Sequence, residues 1–226
     1  HEPSCRRRHL EVVVSKGTSI SGVEEIFTLP GGQTMDRELS KDQGRQLVAL
    51  ARRTLEERFG MEGKTPSSSS IQRDEALQER KGTFVTLSEK GQLRGCIGSL
   101  EAREPLLDGI RRNALNAAFH DPRFKALSPD ELDRVQIEVS ILSQPIPLVY
   151  TDSSDLLSKL TPGQDGVIIS LGSASATFLP QVWEQLPDKE DFLSNLCRKA
   201  GLSSDAWRNR NLEVFTYRVQ SFKETD

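Results

Sequence analysis

The chain has 226 residues, of which 35% are hydrophobic and 28% charged, and its formal net charge is −3. This composition fits a globular protein with one large domain or two small ones, and the weak negative charge disfavours nucleic-acid binding, which needs a basic surface. No stretch approaches the ~18 consecutive apolar residues of a membrane-spanning helix. The apolar run near the N-terminus is too short for a signal peptide, so a cytoplasmic location is predicted.

The three cysteines are an odd number, and they lie too far apart in the sequence to form a metal-binding CxxC pair or a disulfide framework. Free thiols fit a reducing compartment. Because only one histidine follows residue 9, the folded region has too few soft ligands for a zinc site. Neither a metal site nor a cofactor is predicted.

The first predicted elements are a helix and a β-hairpin. Residues 1–39 show little periodicity and are predicted to be a poorly ordered extension. Ser40 and Gln43 form a capping-box pattern that begins a helix, and Gly60 ends it. In the hairpin, TFVTL is predicted as one strand, SEKG as the turn and QLRGCIGSL as the returning strand.

Helices and strands alternate in the rest of the chain. A helix is predicted to begin at Pro105 and end at the HDPRF segment, and SPDEL is a second capping box. VQIEVSIL alternates apolar and polar residues, which predicts a strand with one wet face. A short helix (SSDLLSKL), a hairpin turning at Gly172, a helix ended by Gly201 and a final strand, NLEVFTYRVQSF, complete the chain. Strand pairs separated by helices indicate α+β layers.

The LRGCIG segment is the strongest candidate for a functional site. In a regular strand, alternation places Arg94, Cys96 and Gly98 on one face and Gly95 on the other. A nearby cation lowers the pKa of a thiol and makes it reactive, and glycines leave room for a ligand to approach the backbone. A small, buried cysteine packed against its neighbours explains the same residues. Both interpretations stay open, and we expect the Arg94 side chain to be exposed.

His120 is the conventional base that the folded region offers, since the other two histidines lie within the first nine residues. With Cys96, and with Asp121 as an orienting group, it would form a nucleophile–base pair. A histidine at the C-terminus of a helix is also stabilised by the helix dipole alone. Arg123 could pair with a carboxylate inside the fold or bind an anionic ligand.

Six sequence blocks in this order are similar to a known family: FVTL…LRGCIGSLEAREPL, AAFHDPRF, IEVSIL, GQDGVII, FLPQVW and FLSNLCRKAGL. Over about residues 40–226 the chain resembles the AMME chromosomal-region protein family, also called the AMMECR domain, of which LRGCIG is the signature. The resemblance implies an α+β fold of two sub-domains with largely antiparallel sheets and flanking helices, the smaller inserted into the larger. The larger would comprise residues 40–82 and 133–226. The smaller, residues 83–132, would carry the LRGCIG hairpin beside a cleft between the two.

The family resemblance also suggests site residues. The motif positions expected to bind a small-molecule or peptide ligand are Arg94, Gly95, Gly98, Asp121 and Arg123. Cys96 would be the catalytic residue of any thiol chemistry. His120, which the family pattern matches less firmly, would be its base.

The family has no agreed activity, so the resemblance does not decide whether the protein is an enzyme. Its bacterial and archaeal members resemble partners of a Memo-type protein and of a radical SAM protein. One hypothesis is a ligand cleft at LRGCIG with thiol-dependent chemistry. The alternatives are a non-catalytic interaction module that docks on one of those partners, and a nucleic-acid-binding protein, which the net charge disfavours.

Overall fold

The computed structural model describes residues 13–14, 38–61 and 71–224. The predicted disorder of residues 1–39 therefore falls almost wholly outside the described residues. The helices are α1 Lys41–Arg58, α2 Glu75–Gln78, α3 Leu106–Phe119, α4 Pro129–Leu132, α5 Ser153–Lys159, α6 Lys189–Lys199 and α7 Ala206–Asn209. The strands are β1 Val13–Val14, β2 Thr83–Glu89, β3 Gln92–Ser99, β4 Val135–Leu142, β5 Ile146–Pro147, β6 Gly166–Leu171, β7 Ala174–Phe178, β8 Glu213–Tyr217 and β9 Val219–Lys223.

The strands of the described residues form two sheets, which confirms the predicted α+β class. One sheet has five strands in the order β1-β3-β2-β4-β9, and the other has four in the order β5-β8-β6-β7. The β2–β3 hairpin and the pairings of the four-stranded sheet are antiparallel, whereas β1 runs parallel to β3. Short 3₁₀ turns occur at Ile71–Arg73 and Pro180–Glu184.

The described chain divides into two compact units whose boundaries differ from the predicted sub-domains. The first unit contains residues 39–140 and the C-terminal segment from Ser221, and the second contains residues 141–220. The second unit is inserted into the first, but the LRGCIG hairpin, predicted within the inserted part, lies in the surrounding unit. The physical reason is packing, because β2 and β3 pack on α3, and α3 packs on α1.

The first unit begins with the predicted capping box. The Ser40 hydroxyl accepts a hydrogen bond from the Gln43 amide at 3.2 Å, and the Gln43 side chain accepts one from the Ser40 amide at 2.8 Å. This satisfies two donors that a helix start otherwise leaves unpaired. On α3, Asn113 donates from its side-chain amide to the carbonyl and hydroxyl of Thr83, at 3.0 and 2.8 Å, which ties the helix to β2.

The β2–β3 hairpin contains an irregularity at the signature motif. Its two-residue turn has Lys90 at φ 52° and Gly91 at φ 76°, the left-handed conformations of a type I′ turn. Leu87 pairs with Gly95 but Ser88 pairs with Leu93, so Arg94 has no residue opposite it. This is a β-bulge, which bends the strand and redirects the bulged side chain.

The second unit has its own core between the four-stranded sheet and α6. The rings of Trp183 and Phe192 stack with centroids 3.6 Å apart, and both side chains are buried. The predicted turn at Gly172 is confirmed, with φ 60° between β6 and β7. The single strand predicted at the C-terminus is instead two strands in different sheets. The break falls at Arg218, whose amide and carbonyl both bond to Ser143, at 2.9 Å each.

Candidate functional site

Cys96 lies on β3 opposite Thr86 of β2, and its side chain is buried. The Thr86 hydroxyl donates a hydrogen bond to the Cys96 sulfur at 3.3 Å, and only 6% of the residue is exposed. Burial raises the pKa of the Cys96 thiol, and the Thr86 hydrogen bond and the Arg123 charge offset this only in part. The thiol therefore stays protonated at neutral pH, the opposite of an activated nucleophile.

The backbone of Cys96 is bonded by two side chains from the DPRF segment. Its N–H donates to Asp121 Oδ2 at 2.9 Å, and its carbonyl accepts from Arg123 Nη2 at 3.3 Å. In an antiparallel pair, every second residue directs these groups away from its partner strand. Cys96 is such a residue, so Asp121 and Arg123 occupy the place that a neighbouring strand would take.

Asp121 is the centre of this arrangement. Its carboxylate, with a side chain only 1% exposed, also accepts from the backbone amide, Nε and Nη2 of Arg123, at 3.1, 3.0 and 2.8 Å. Burial acts to raise the pKa of Asp121, but hydrogen bonds from Arg123 and Cys96 outweigh it and lower the pKa. The carboxylate is therefore ionised and its oxygens are occupied, which leaves it poorly suited to act as a base.

Arg94 does not share an open face with Cys96 as a regular strand would require. The bulge directs its guanidinium to Glu131, with Nε–Oε1 at 2.8 Å and Nη2–Oε2 at 3.1 Å, and the Arg94 side chain is only 13% exposed. The prediction of an exposed arginine is therefore wrong. Nη1 of Arg94 is buried without a hydrogen-bond partner among the described residues.

Glu131 belongs to the second predicted capping box, at the start of α4. Its carboxylate accepts from the Ser128 amide at 2.8 Å and from the Ser128 hydroxyl at 3.1 Å. The hydrogen bond from Arg94 is the largest cause that lowers the pKa of Glu131 to about 2, with the Ser128 bonds adding to it and burial opposing it. Glu131 is therefore ionised whenever the protein is near neutral pH.

Phe124 joins the LRGCIG and DPRF motifs. The Arg94 guanidinium carbon lies 5.9 Å from the centroid of the Phe124 ring, and that of Arg123 lies 5.6 Å away. Cations at such distances from an aromatic ring are attracted by its quadrupole. LRGCIG, DPRF and SPDEL are thus three segments of one interlocked cluster.

The space beside the two glycines of the motif is filled by the protein itself. A Cβ atom at Gly95 would lie 2.1 Å from the carbonyl oxygen of Ala117 on α3, and one at Gly98 would lie 2.2 Å from the Phe84 ring. Glycine is therefore required for close packing at both positions. The room that the sequence suggested for a ligand is taken by a helix and an aromatic side chain.

Sequence reasoning located part of this cluster. Cys96, Asp121 and Arg123 were each predicted as site residues and lie together, with Asp121 and Arg123 contacting the Cys96 backbone and not its thiol. His120 is exposed immediately after α3, and the Cys96 thiol bonds to Thr86 instead. Glu131 was predicted only as a capping residue. The two-residue turn predicts the strand pairing only near Thr86. The bulge shifts the register by one residue, so the turn alone does not give Thr86 as the partner of Cys96.

Two further properties concern the described residues as a whole. Within them, no group of three or more His, Cys, Asp or Glu side chains is placed to hold a metal ion. None of the helices in the same ranges combines the length and apolar character needed to cross a bilayer.

The motif cluster and its surroundings fall inside a match to a known family model. The AMMECR1 model matches residues 48–222, most of the chain. The chain belongs to the AMMECR1 family. A relative from Methanothermobacter thermautotrophicus is 40% identical over 187 residues, which cover 82% of this chain and 96% of that protein. One from Methanosarcina mazei is 40% identical over 191 residues, covering 83% and 94%.

A solved structure supports the same fold. The crystal structure of the uncharacterised protein PH0010 from Pyrococcus horikoshii is 33% identical and superposes with a TM-score of 0.69, covering 82% of this chain and 93% of that one. The names of these AMMECR1 relatives state no activity.

Proposed function

We propose that this AMMECR1 protein is a non-catalytic interaction module, in which the LRGCIG motif stabilises the fold. The observation that carries the proposal is that the reactive groups near the motif already have partners. The Cys96 thiol accepts from Thr86, Asp121 holds Arg123, and Arg94 binds Glu131. Catalysis needs a group that can reach a substrate in the correct protonation state, and the thiol is both buried and protonated.

A candidate contact surface lies in the second unit, at the β5 edge of its sheet. Ile146 is 62% exposed and Val149 81% exposed, and a shallow pocket of about 280 Å³ beside them is lined in part by Tyr150 and Phe215. Exposed apolar side chains beside a pocket are typical of protein contact sites. The partner proposed for this surface is the Memo-type protein that the family resemblance implies, with the radical SAM protein next.

Thiol-dependent ligand chemistry at LRGCIG is the second candidate. The Arg123 charge lies close enough to lower the pKa of the Cys96 thiol, which favours a thiolate. Burial acts in the opposite direction and has the larger effect. This candidate therefore needs a rearrangement that exposes the sulfur.

Alkylation of the thiols separates the two candidates. We expect iodoacetamide to label Cys96 at least about 100-fold more slowly in the native protein than in urea, because the buried thiol is both inaccessible and protonated. Cys197, which is fully buried and has a raised pKa, is the internal reference, and mass spectrometry distinguishes the two sites. Native labelling of Cys96 at the unfolded rate, with a pKa below that of an ordinary thiol, would exclude the non-catalytic interpretation.

Calorimetric titration with the purified Memo-type protein from the same genome tests the interaction. We expect Cys96→Ser to keep the wild-type affinity within about twofold, and Ile146→Asp/Val149→Asp to weaken binding at least about tenfold, since a charge at an apolar contact must be desolvated. Ser173→Asp/Gln185→Asp adds the same charge at exposed positions away from β5 and should bind like wild type. Loss of binding in Cys96→Ser would contradict a purely structural motif, and absence of wild-type binding would reject this partner.

A further inference from the structure

The outer edge of β3 carries two different neighbours. At Cys96, the side chains of Asp121 and Arg123 bond to the backbone. From the next residue onward the neighbour is a strand, because Val13 lies opposite Ile97 and Val14 opposite Gly98 in the parallel β1–β3 pairing. The strand therefore begins where the side-chain contacts end.

The alternation of backbone groups along β3 explains why a strand follows the side-chain contacts. Since the Cys96 amide points away from β2, alternation directs the Ile97 amide toward β2 and that of Gly98 back to the outer edge. The backbone groups of Gly98 can then be paired only by a segment beside β3. Unpaired edges of this kind are templates for added strands.

We propose that the outer edge of β3 from Ile97 to Ser99 is a strand-acceptor site whose occupant is the chain's own Val13–Val14 segment, and that an extended, β-branched segment of a partner protein can replace it. Recognition is through the backbone, as in other cases of strand addition, and the new strand runs parallel to β3. The two-residue ladder has few hydrogen bonds, and parallel pairing is the weaker kind, so replacement is feasible.

Asp121 and Arg123 set the limit of this acceptor site. Asp121 accepts from the Cys96 amide and Arg123 donates to the Cys96 carbonyl, so an incoming strand is directed to the outward backbone groups of Gly98. The proposal does not depend on the function proposed above, because the occupied edge is a property of the isolated chain.

Amide hydrogen exchange in the full chain tests whether the edge is occupied. We expect the Gly98 amide to exchange at least about tenfold faster in Val13→Pro/Val14→Pro. Proline removes the amide donors that hold the Val13–Val14 segment on β3, and the released segment no longer supplies an acceptor for the Gly98 amide. Val13→Thr/Val14→Thr keeps the backbone donors and should exchange within about twofold of wild type. The Ile97 amide, directed toward β2, should be unchanged in all three proteins and so reports an intact hairpin.

A nuclear magnetic resonance titration tests whether the edge accepts a strand in trans. The probe is a peptide of residues 9–17, HLEVVVSKG, added to the full-length proteins. We expect it to shift the amide signals of Ile97–Ser99 in the double-proline protein, with an affinity at least about tenfold higher than in wild type. The same peptide with prolines in place of Val13 and Val14 should cause no shift.

Three outcomes would overturn the proposal. One is equal Gly98 exchange in wild type and Val13→Pro/Val14→Pro. Another is a peptide that shifts no β3 signal in the double-proline protein. The third is Gly98 protection that rises with protein concentration, since the strand would then come from a second copy of the chain.

Discussion

The two sheets of this protein satisfy outward-facing backbone groups in different ways. On β3, the outward amide and carbonyl of Cys96 are both kept and are bonded by Asp121 and Arg123. On β5, the Leu148 amide donates inward to Val214 at 2.8 Å, so the outward position before it belongs to Pro147, which has no amide donor.

The two arrangements have different consequences. The β3 edge depends on the ion pair of Arg123 with Asp121, whose buried carboxylate lies 25 residues from Cys96 in the sequence, so its stability is sensitive to charge and pH. The β5 edge depends on a residue that lacks a donor, and the outward carbonyl of Val149 is bonded by Lys159 at 2.8 Å. Removing the side-chain contacts at β3 should therefore lower the free energy of unfolding markedly, whereas replacing the proline at β5 should change it little.

The largest effect is expected at the β3 edge from Asp121→Ala. The change removes the acceptor of the Cys96 amide and leaves Arg123 without its carboxylate, so we expect the free energy of unfolding to fall by about 3 kcal/mol. Urea denaturation measures it. Asp108→Ala, which breaks an exposed pair with Arg111, is the control and should cost less than about 1 kcal/mol. Equal losses in the two variants would show that the β3 edge does not depend on this carboxylate.

A smaller, pH-dependent effect is expected where Glu131 holds the bulged Arg94. The pKa of Glu131 is about 2 in the folded protein against an ordinary 4.5, so ionised Glu131 stabilises the fold above about pH 4.5. That contribution declines as the pH falls from 4.5 toward 2. We expect Glu131→Gln to cost about 1.5 kcal/mol at pH 7 and progressively less below pH 4.5 in urea unfolding experiments.

Arg94→Met provides the matched background for this measurement. Since the Arg94 hydrogen bond is the largest cause of the lowered Glu131 pKa, the pH dependence of the Glu131→Gln effect should be much smaller in Arg94→Met. An unchanged pH dependence would assign the shift to Ser128 alone.

The smallest effect on stability is expected at the β5 edge from Pro147→Ala. The change restores an outward amide, so the free energy of unfolding should stay within about 0.5 kcal/mol while self-association increases. Analytical ultracentrifugation should show a larger average mass than for wild type at equal concentration. Pro162→Ala, at an exposed turn position, should leave the mass unchanged. A Pro147→Ala protein that sediments like wild type would mean that the missing donor does not protect this edge.

Local signals predicted most of the elements correctly. The capping boxes at Ser40 and Ser128 are present, and so is the turn between β2 and β3. These features depend on residues within a few positions of one another. The split of the C-terminal strand at Arg218 was missed, because it depends on Ser143, a residue distant in the sequence.

The sequence by itself determined the family, the α+β class and most of the helices and strands, since periodicity, caps and turns are local properties of the chain. Only the tertiary structure decided the role of LRGCIG. One bulge turned Arg94 from the predicted open face to Glu131, and a long-range contact directed Asp121 to the Cys96 backbone rather than to its thiol. Strand register and helix packing set such contacts, and neither is contained in the spacing of residues along one strand.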